Sequence, residues 1–432
     1  MVRTKRHVRK KQKSKSRKLK GGKYIASGAY GCVFKPAIKC KGDNTRTDGV
    51  SKLMEKQEAQ KEVHEQVKVD RIDPSFEYHL EPPKICDIGD LDDIEDNIQR
   101  CHLVGKDIQS NLSDAALLQL PYGGIELKSA ITMVSKQSLE KKIKFIMNMC
   151  NLFKGLADFD KNKFAHLDIK PPNILYNPEK ERFNFIDFGL SAYYKDIKYD
   201  RYFLFTSKYF VYPPELIMAR PPDGQSISFS YISNYNKKVP DMLKSYYNIK
   251  KSFLISEMDS DILKDDKLKG IEKEELRYKI YEKIDIYSLG LIMVHIFIKF
   301  TELQPDFSNM SINKGKYPHP FFEDFDKLIV SMTKNDFKLR STPKEAYENM
   351  KEIVNKYKGK LSSGAVAYSG AVASSGSGSG SDLDSFPLSV SPSPIDSNKS
   401  GSYKSFKLGG KRKKSKKKSN KKKYTKSKKN KK

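Results

Sequence analysis

The stretch HLDIKPPNIL, His166–Leu175, places an aspartate, a lysine and an asparagine within six residues and braces them with two prolines. A solvated loop would explain this composition, because Asp, Asn and Pro are common turn residues. A site that holds a hydroxyl, a phosphate and a metal ion together would explain it as well. The rest of the chain decides between the two explanations.

A glycine turn comes earlier in the chain. IASGAYGCV, Ile25–Val33, should join two short strands, and Gly28 and Gly31 would let the backbone approach a phosphate closely. Many strand turns contain two glycines, so this turn indicates little alone. The sequence G-x-x-x-x-G-K-[ST] does not occur, which excludes a P-loop.

A lysine and a glutamate follow the turn. Lys52 lies in VSKL, a predicted third strand, where a lysine is usually an exposed edge residue. The helix formers of Glu55–Val69 predict a helix that offers Glu62, or Glu58 in another register, as a partner for the lysine. Such an ion pair would aim an ammonium group at phosphate oxygens.

A second aspartate, Asp187 in IDFG, is predicted at the end of a strand over Arg182–Gly189. Asp168 could accept a hydroxyl proton, and Lys170 could neutralise charge on a transferring phosphoryl group. Asn173 and Asp187 would give Mg²⁺ the oxygen ligands that it prefers. Phosphoryl transfer needs positioning and cations more than covalent chemistry, so this set indicates a phosphotransferase.

The order of these motifs over residues 23–357 resembles that of the eukaryotic-type protein kinases. The resemblance continues through QLPYGG (Gln119–Gly124) as the adenine-binding hinge, YPPE (Tyr212–Glu215) as the end of the activation segment and DIYSLG (Asp285–Gly290) as the start of a buried central helix. By the same resemblance, Arg340 matches the arginine that pairs with the glutamate of the activation segment, which is Glu215 in this chain. The lysine two residues after Asp168 resembles serine/threonine kinases.

The resemblance implies a role for each matched residue. Asp168 would be the catalytic base, Lys170 would contact the γ-phosphate, and Asn173 and Asp187 would bind Mg²⁺. Glu215, Asp285 and Arg340 would be structural. The ATP-binding residues would be Ile25, Ala26, Ser27, Gly28, Ala29, Tyr30, Gly31, Cys32, Val33, Lys52, Glu62, Gln119 and Leu120.

The chain departs from the family pattern in three places. Ala26 stands where the first glycine of the loop is usual. Leu167 replaces the arginine that normally pairs with a phosphate on the activation segment, which predicts activity without such phosphorylation. Glu215 and Asp285 are 70 residues apart, so residues 218–278 should form an insertion that helps to dock the substrate. Thr206 and Ser207 are candidates for contacting the catalytic loop.

The expected fold class is α+β: a bilobal, protein-kinase-like fold with a small antiparallel β lobe, a larger helical lobe and disordered basic tails. The predicted segments are a basic tail (1–22), a kinase domain (23–357, with lobes 23–120 and 121–357), a Gly/Ser-rich linker (358–403) and a Lys-rich tail (404–432). GAYGCVFKPAIKC and the Lys-rich end also resemble kinases of large nucleocytoplasmic DNA viruses of the mimivirus-like group.

The net charge of +29 belongs to the two tails. Residues 1–20 contain 11 Lys or Arg, residues 404–432 contain 17, and neither stretch has an acid. The residues between them have 54 bases and 53 acids, an ordinary near-neutral balance. The tails could bind nucleic acid or another polyanion without sequence specificity. Nuclear import, solubility, acidic proteins and membranes are equal alternatives.

Five scattered cysteines without a C-x-x-C pair predict neither disulfides nor a zinc site, and favour a reducing compartment. The longest apolar run, Ile286–Ile298, has 13 residues, which predicts a buried helix and no transmembrane segment. We expect an intracellular monomer, located in the host cytoplasm, nucleus or virion if the chain is viral.

Three functions remain open. The first is an ATP- and Mg²⁺-dependent serine/threonine kinase that acts on protein substrates. The second is a pseudokinase scaffold, although Lys52, Asp168 and Asp187 are all retained. The third is a nucleic-acid-associated protein that acts through its tails. The tails contain only two aromatic residues, Phe406 and Tyr424, which argues against base stacking as the mode of binding.

Overall fold

The computed structural model describes residues 22–27, 31–42, 49–89, 101, 114–197, 212–213, 273–303, 316–334 and 337–362. All of them lie in the first of two units, Met1–Ser391; the second unit is Pro392–Lys432. The predicted linker and both predicted tails, apart from Gly22 and residues 358–362, lie outside the described residues. So does the predicted insertion, except for its last residues from Lys273 onward.

The first part of the chain forms a five-stranded antiparallel sheet in the order β1-β2-β3-β5-β4. Its strands are β1 (Lys23–Ser27), β2 (Gly31–Lys35), β3 (Val50–Glu55), β4 (Lys84–Cys86) and β5 (Ala115–Leu120). Helix α1 (Lys56–Ile72) follows β3 directly. The three predicted strands and the predicted helix are therefore confirmed, with bounds shifted by one to three residues.

Glycine is required where β2 meets β3. A Cβ atom on Gly31 would lie 2.6 Å from the carbonyl oxygen of Leu53, which leaves no room for a side chain. The backbone of the hairpin can therefore lie close against the strand that carries Lys52, which is paired with Val33. The tip of the hairpin, Gly28–Tyr30, lies outside the described residues.

The second part of the described chain is mainly helical. Its helices are α2 (Leu127–Ser135), α3 (Leu139–Asn148), α4 (Cys150–Lys161), α5 (Lys273–Tyr281), α6 (Ile284–Thr301), α7 (Pro320–Met332) and α8 (Pro343–Ser362). Short strands lie between α4 and α5: β7 (Phe164–Ala165), β8 (Ile174–Asn177), β9 (Arg182–Phe185) and β10 (Ala192–Tyr193), with β6 (Ile125–Glu126) before α2. Strands β6-β8-β9 form one small sheet and β10-β7 another. This strand-rich part followed by a helical part agrees with the predicted α+β class.

One stretch of apolar residues at helical spacing forms two helices rather than one. The apolar spacing over Leu139–Phe159 predicts a continuous helix, but α3 ends at Asn148 and α4 begins at Cys150. Met149 joins them with φ −72° and ψ −5°, and its N–H bonds to the carbonyl of Ile146. Met149 is fully buried, so the apolar pattern continues through the break and cannot reveal it.

Helix α6 is the centre of the larger core. Most of its residues are buried, including the predicted Ile286–Ile298 run apart from its two partly buried residues. Within the described residues, the helical stretch Arg277–Thr301 is long and apolar enough to cross a membrane by length and composition. However, 78% of its apolar window is buried inside the fold, as in the core helix of a folded domain.

Two disulfide bonds join four of the five cysteines, so the prediction from cysteine spacing is wrong. Cys32 is bonded to Cys101, Cys40 is bonded to Cys86, and Cys150 is a free thiol. Spacing along the chain does not reveal the pairs because the fold brings together residues that are 69 and 46 positions apart. Whether the chain works in a reducing compartment stays a prediction.

The two disulfide bonds predict how many thiols react before and after reduction of the protein. Protein unfolded in denaturant without reductant should show one reactive thiol, that of Cys150, and five after reduction, measured with a chromogenic thiol reagent. Cys150→Ser is the control, because it should remove the one thiol and leave four after reduction. If protein from a correctly folded preparation shows five thiols when it is unfolded without reductant, both bonds are contradicted.

Candidate active site

Lys52 forms an ion pair with Glu62, which selects between the two partners left open by the sequence. The Lys52 Nζ lies 2.5 Å from Glu62 Oε2, and the two side chains are 18% and 22% exposed. Glu58 instead contacts Lys61 on the outer surface of α1. Strand β3 and helix α1 together therefore hold one partly buried ammonium in a fixed position.

A buried carboxylate fixes the backbone at the start of the HLDIKPPN loop. Asp285, near the N-terminus of α6, accepts hydrogen bonds from the backbone N–H of His166 at 2.6 Å and of Leu167 at 2.9 Å. Burial raises the pKa of Asp285 to about 6, although both of these bonds favour the charged form. Asp285 thus links the central helix to the loop that carries Asp168.

Leu167 adopts a left-handed conformation, with φ 62°. Its side chain is fully buried, and its carbonyl accepts a hydrogen bond of 2.5 Å from the hydroxyl of Tyr212. An L-residue rarely adopts this conformation, so the contacts on both sides must hold it. The backbone around Leu167 turns the loop between His166 and Asp168.

The Asp168 carboxylate is the centre of a polar cluster. Its Oδ2 accepts a hydrogen bond of 2.9 Å from Lys170 Nζ and one of 2.8 Å from Asn173 Nδ2. Its Oδ1 is buried and has no hydrogen-bond partner. Burial raises the pKa of Asp168 to about 6, against the opposing effect of Lys170. A buried acceptor without a donor costs folding free energy. Oδ1 is therefore placed to accept a hydrogen bond from a hydroxyl group and then its proton.

Asp187 follows β9 and faces outward. It has φ 63° and is exposed, unlike the buried Asp168. The charge of Asp187 also raises the pKa of Asp168, so the two carboxylates lie within electrostatic reach of each other. The N–H of Ile186 bonds to the carbonyl of Asn173 at 3.0 Å, which ties the strand end to the catalytic loop.

These residues fit a magnesium ion bound together with phosphates. Asn173 uses its amide N–H on Asp168, which leaves the amide oxygen for a metal, and Asp187 offers a carboxylate. In the described part of the chain no group of three or more His, Cys, Asp or Glu residues could hold a metal by itself. Mg²⁺ is usually held by one or two protein oxygens, substrate phosphates and water, which suits this sparse donor set.

The side chains of His166 and Phe188 pack against each other next to the polar cluster. Burial lowers the pKa of His166 to about 4, so the imidazole is neutral at physiological pH. Its ring lies 4.9 Å from the ring of Phe188, the residue after Asp187. The two aromatic rings therefore join the loop that carries Asp168 to the segment that carries Asp187.

The predicted hinge begins within β5 and continues past its end. Gln119 and Leu120 are the last residues of that strand, and the side chain of Gln119 bonds to the carbonyl of Ile38. Pro121 follows and has no N–H to offer a base. Lys35 Nζ lies 3.0 Å from the ring centre of Tyr122, which places a cation against the hinge.

The remaining predicted site residues have mixed outcomes. Ile25, Ala26, Ser27, Gly31 and Val33 lie on β1 and β2, as does Cys32, whose buried sulfur is used in a disulfide. Gly28, Ala29, Tyr30, Thr206, Ser207 and Glu215 lie outside the described residues. The predicted Glu215–Arg340 pair therefore stays a prediction. Arg340 is buried, donates to the carbonyl of Lys334 and lies 4.7 Å from the ring of Tyr287.

Two tyrosines make contacts that the sequence does not predict. Tyr212 belongs to YPPE, and its hydroxyl contacts the catalytic loop. Tyr194 follows β10, and its N–H and hydroxyl bond to the carbonyl of Lys163 and to the carboxylate of Asp160. The motif YPPE marks Tyr212 without indicating this contact, and no sequence signal distinguishes Tyr194 from the other tyrosines.

Comparison with known proteins finds a family model and a relative that are similar to this chain. Residues 19–231 match the family model described as "Protein kinase domain". The cell division cycle 7-related protein kinase of Homo sapiens is 30% identical to this chain over 86 residues. That match covers 20% of this chain and 14% of the relative, so the chain spans a small part of that protein's length.

Proposed function

We propose that the chain transfers the γ-phosphate of ATP to serine and threonine hydroxyls of protein substrates, because residues 19–231 match the protein kinase family model. Mg²⁺ is the proposed metal. The family match supports protein phosphorylation in general. The choice of serine and threonine rests on Lys170, which lies two residues after Asp168 as in serine/threonine kinases.

The observation that carries the proposal is the arrangement around Asp168. One carboxylate oxygen is held by Lys170 and Asn173, and the other is buried without a partner. A substrate hydroxyl that donates to this free oxygen would be oriented for attack, and Asp168 would receive its proton. Lys170, already beside Asp168, would turn its ammonium toward the transferring phosphoryl group.

The nucleotide would be held by residues of both parts of the fold. Lys52, oriented by Glu62, would contact the α- and β-phosphates, and the hairpin Ile25–Val33 would cover them. Asn173 and Asp187 would hold Mg²⁺, which neutralises phosphate charge when bound. The segment around Gln119 and Leu120 would face the base.

The test is an in vitro assay with labelled ATP. Purified full-length chain is incubated with Mg²⁺, labelled ATP and generic basic and acidic proteins, and the labelled products are hydrolysed for phosphoamino-acid analysis. Label on phosphoserine and phosphothreonine is expected. Label on phosphotyrosine would overturn the substrate class, and no labelled protein under any condition would overturn the enzyme function.

Activity should not require phosphorylation of the activation segment. Leu167 carries no charge that could pair with a phosphate, and its backbone is already held by Asp285 and Tyr212. Treatment with a broad-specificity phosphatase, followed by its removal, should leave kcat within about twofold of that of untreated enzyme. A kinase that is known to need such phosphorylation serves as the control, and comparable loss of activity by this chain would contradict the prediction.

Several finer assignments stay proposals. The likeness to kinases of large nucleocytoplasmic DNA viruses supports an intracellular site of action, in the host cell or the virion. The positive charge of the tails supports binding to nucleic acid or another polyanion. The length of the segment 218–278 supports a role for it in substrate docking. A pseudokinase scaffold is the alternative function, but the complete set of Lys52, Asp168 and Asp187 favours catalysis.

A further inference from the structure

A buried histidine lies between two carboxylates outside the site described above. His79 is completely buried, in the segment between α1 and β4. Its Nδ1 lies 2.9 Å from Asp73 Oδ2, and its Nε2 lies 2.8 Å from Asp70 Oδ1. The two carboxylates therefore hold the two ring nitrogens of His79, one each.

Both carboxylates belong to the C-terminal end of α1, the helix that carries Glu62. Asp70 is in the last turn, and Asp73 is the C-cap residue. Asp73 also accepts hydrogen bonds from the N–H of Tyr78 at 3.0 Å and from the hydroxyl of Ser75 at 3.2 Å. Burial by itself raises the pKa of Asp73, but the bonds from His79 and the backbone bring it down to about 2.

The other side of His79 faces the segment that carries Asp187. The backbone of His79 forms a parallel bridge with Phe185, and the N–H of Phe185 bonds to the carbonyl of Tyr78 at 2.8 Å. The ring of His79 meets the ring of Phe188 edge to face, with centroids 6.2 Å apart. Asp187 thus lies between two residues that His79 touches.

His79 therefore connects the two halves of the proposed ATP site. On one side it binds the end of the helix that orients Lys52, and on the other it packs against the residues that flank Asp187. We propose that His79 is a positioning residue that sets Asp187, and through it Mg²⁺, at the correct distance from the Lys52–Glu62 pair. This inference rests on the proposed kinase function and adds a residue to it.

The experiment compares two variants, His79→Phe and Asp70→Asn, with control variants on α1. His79→Phe keeps an aromatic ring of similar size but loses both hydrogen bonds. Asp70→Asn removes one carboxylate charge from a side chain that is 21% exposed, so it should fold even if the first variant does not. The controls are His64→Gln, at an exposed position, and Glu65→Gln, whose side chain is 25% exposed.

Two measurements separate positioning from general damage. The first is steady-state kinetics, in which misplacement of a reacting group by about 1 Å can cost about 10² in rate. We expect kcat to fall about tenfold to 10²-fold in both variants, while the KM of the protein substrate stays unchanged and more Mg²⁺ is needed for half-maximal rate. The second is titration with a fluorescent ATP analogue. Without Mg²⁺, both variants should bind the analogue about as well as wild type does. With Mg²⁺, both variants should bind it more weakly than wild type does.

The outcomes distinguish this inference from the proposed function. Wild-type protein that neither transfers phosphate nor binds the analogue would end the proposed function itself. With active wild type, the positioning role is overturned if both variants keep kcat within twofold. It is also overturned if the analogue binds equally weakly with and without Mg²⁺, because that pattern indicates a general loss of structure.

Discussion

The variant Asp168→Asn should lose about 10²–10⁴-fold in kcat, because it removes the group proposed to accept the proton of the substrate hydroxyl. The amide oxygen of asparagine can still accept a hydrogen bond, but it cannot take up the proton. The measurement is initial-rate phosphorylation of a generic protein substrate at saturating Mg²⁺ and ATP. The affinity for a fluorescent ATP analogue should change little.

The same variant should remain as stable as wild type or become more stable. Burial already raises the pKa of Asp168, and one of its oxygens has no hydrogen-bond partner, so a neutral side chain removes a desolvated charge. Asp87→Asn is the control, since that side chain is 68% exposed and pairs only at the surface, with Lys56. A full-rate Asp168→Asn enzyme would refute the assignment of the base, and a large fall in melting temperature would show that the loss of rate came from unfolding.

The variant Lys52→Met should lower kcat/KM for ATP by about 10²–10³-fold, the usual effect of removing one positioned group that stabilises charge at a reacting centre. Methionine keeps the length of the side chain and loses the ammonium. Glu62→Gln should have a smaller effect, since it leaves the cation in place but no longer holds it. Kinetics with varied ATP and constant protein substrate provide the measurement.

A double-mutant cycle gives the sharper test of this pair. If Glu62 acts only by orienting Lys52, Glu62→Gln should add almost nothing to Lys52→Met, so the effects will be far from additive. Lys61→Met with Glu58→Gln is the matched control, because this pair lies one turn away on the exposed side of α1. Additive losses at Lys52 and Glu62 would argue that the two residues act separately.

The composition and order of motifs were enough to predict the fold class and the cluster around Asp168. Local spacing places Asp168, Lys170 and Asn173 within six residues, so their contacts follow from a single tight loop. The partner of Lys52 was different. Glu58 and Glu62 lie one turn apart on the same helix, and only the docking of α1 against the sheet decides which one faces the lysine.

Other features depend on contacts between distant segments. The disulfide of Cys32 joins residues 69 positions apart, and the proposed role of His79 depends on its bridge with Phe185. The break at Met149 is hidden because the residue is apolar and buried like its neighbours. Sequence patterns report which face of an element is apolar, whereas these features depend on how the elements pack.

The bond between Cys32 and Cys101 has a practical consequence for every assay above. Cys32 lies in the strand that leads out of the predicted phosphate-covering hairpin, so we expect a covalent tether there to slow the entry and release of nucleotide at the proposed site. Protein purified with a thiol reductant and protein purified without it are then chemically different species. Nucleotide exchange rates from two laboratories can be compared only when both state the reducing agent in the buffer.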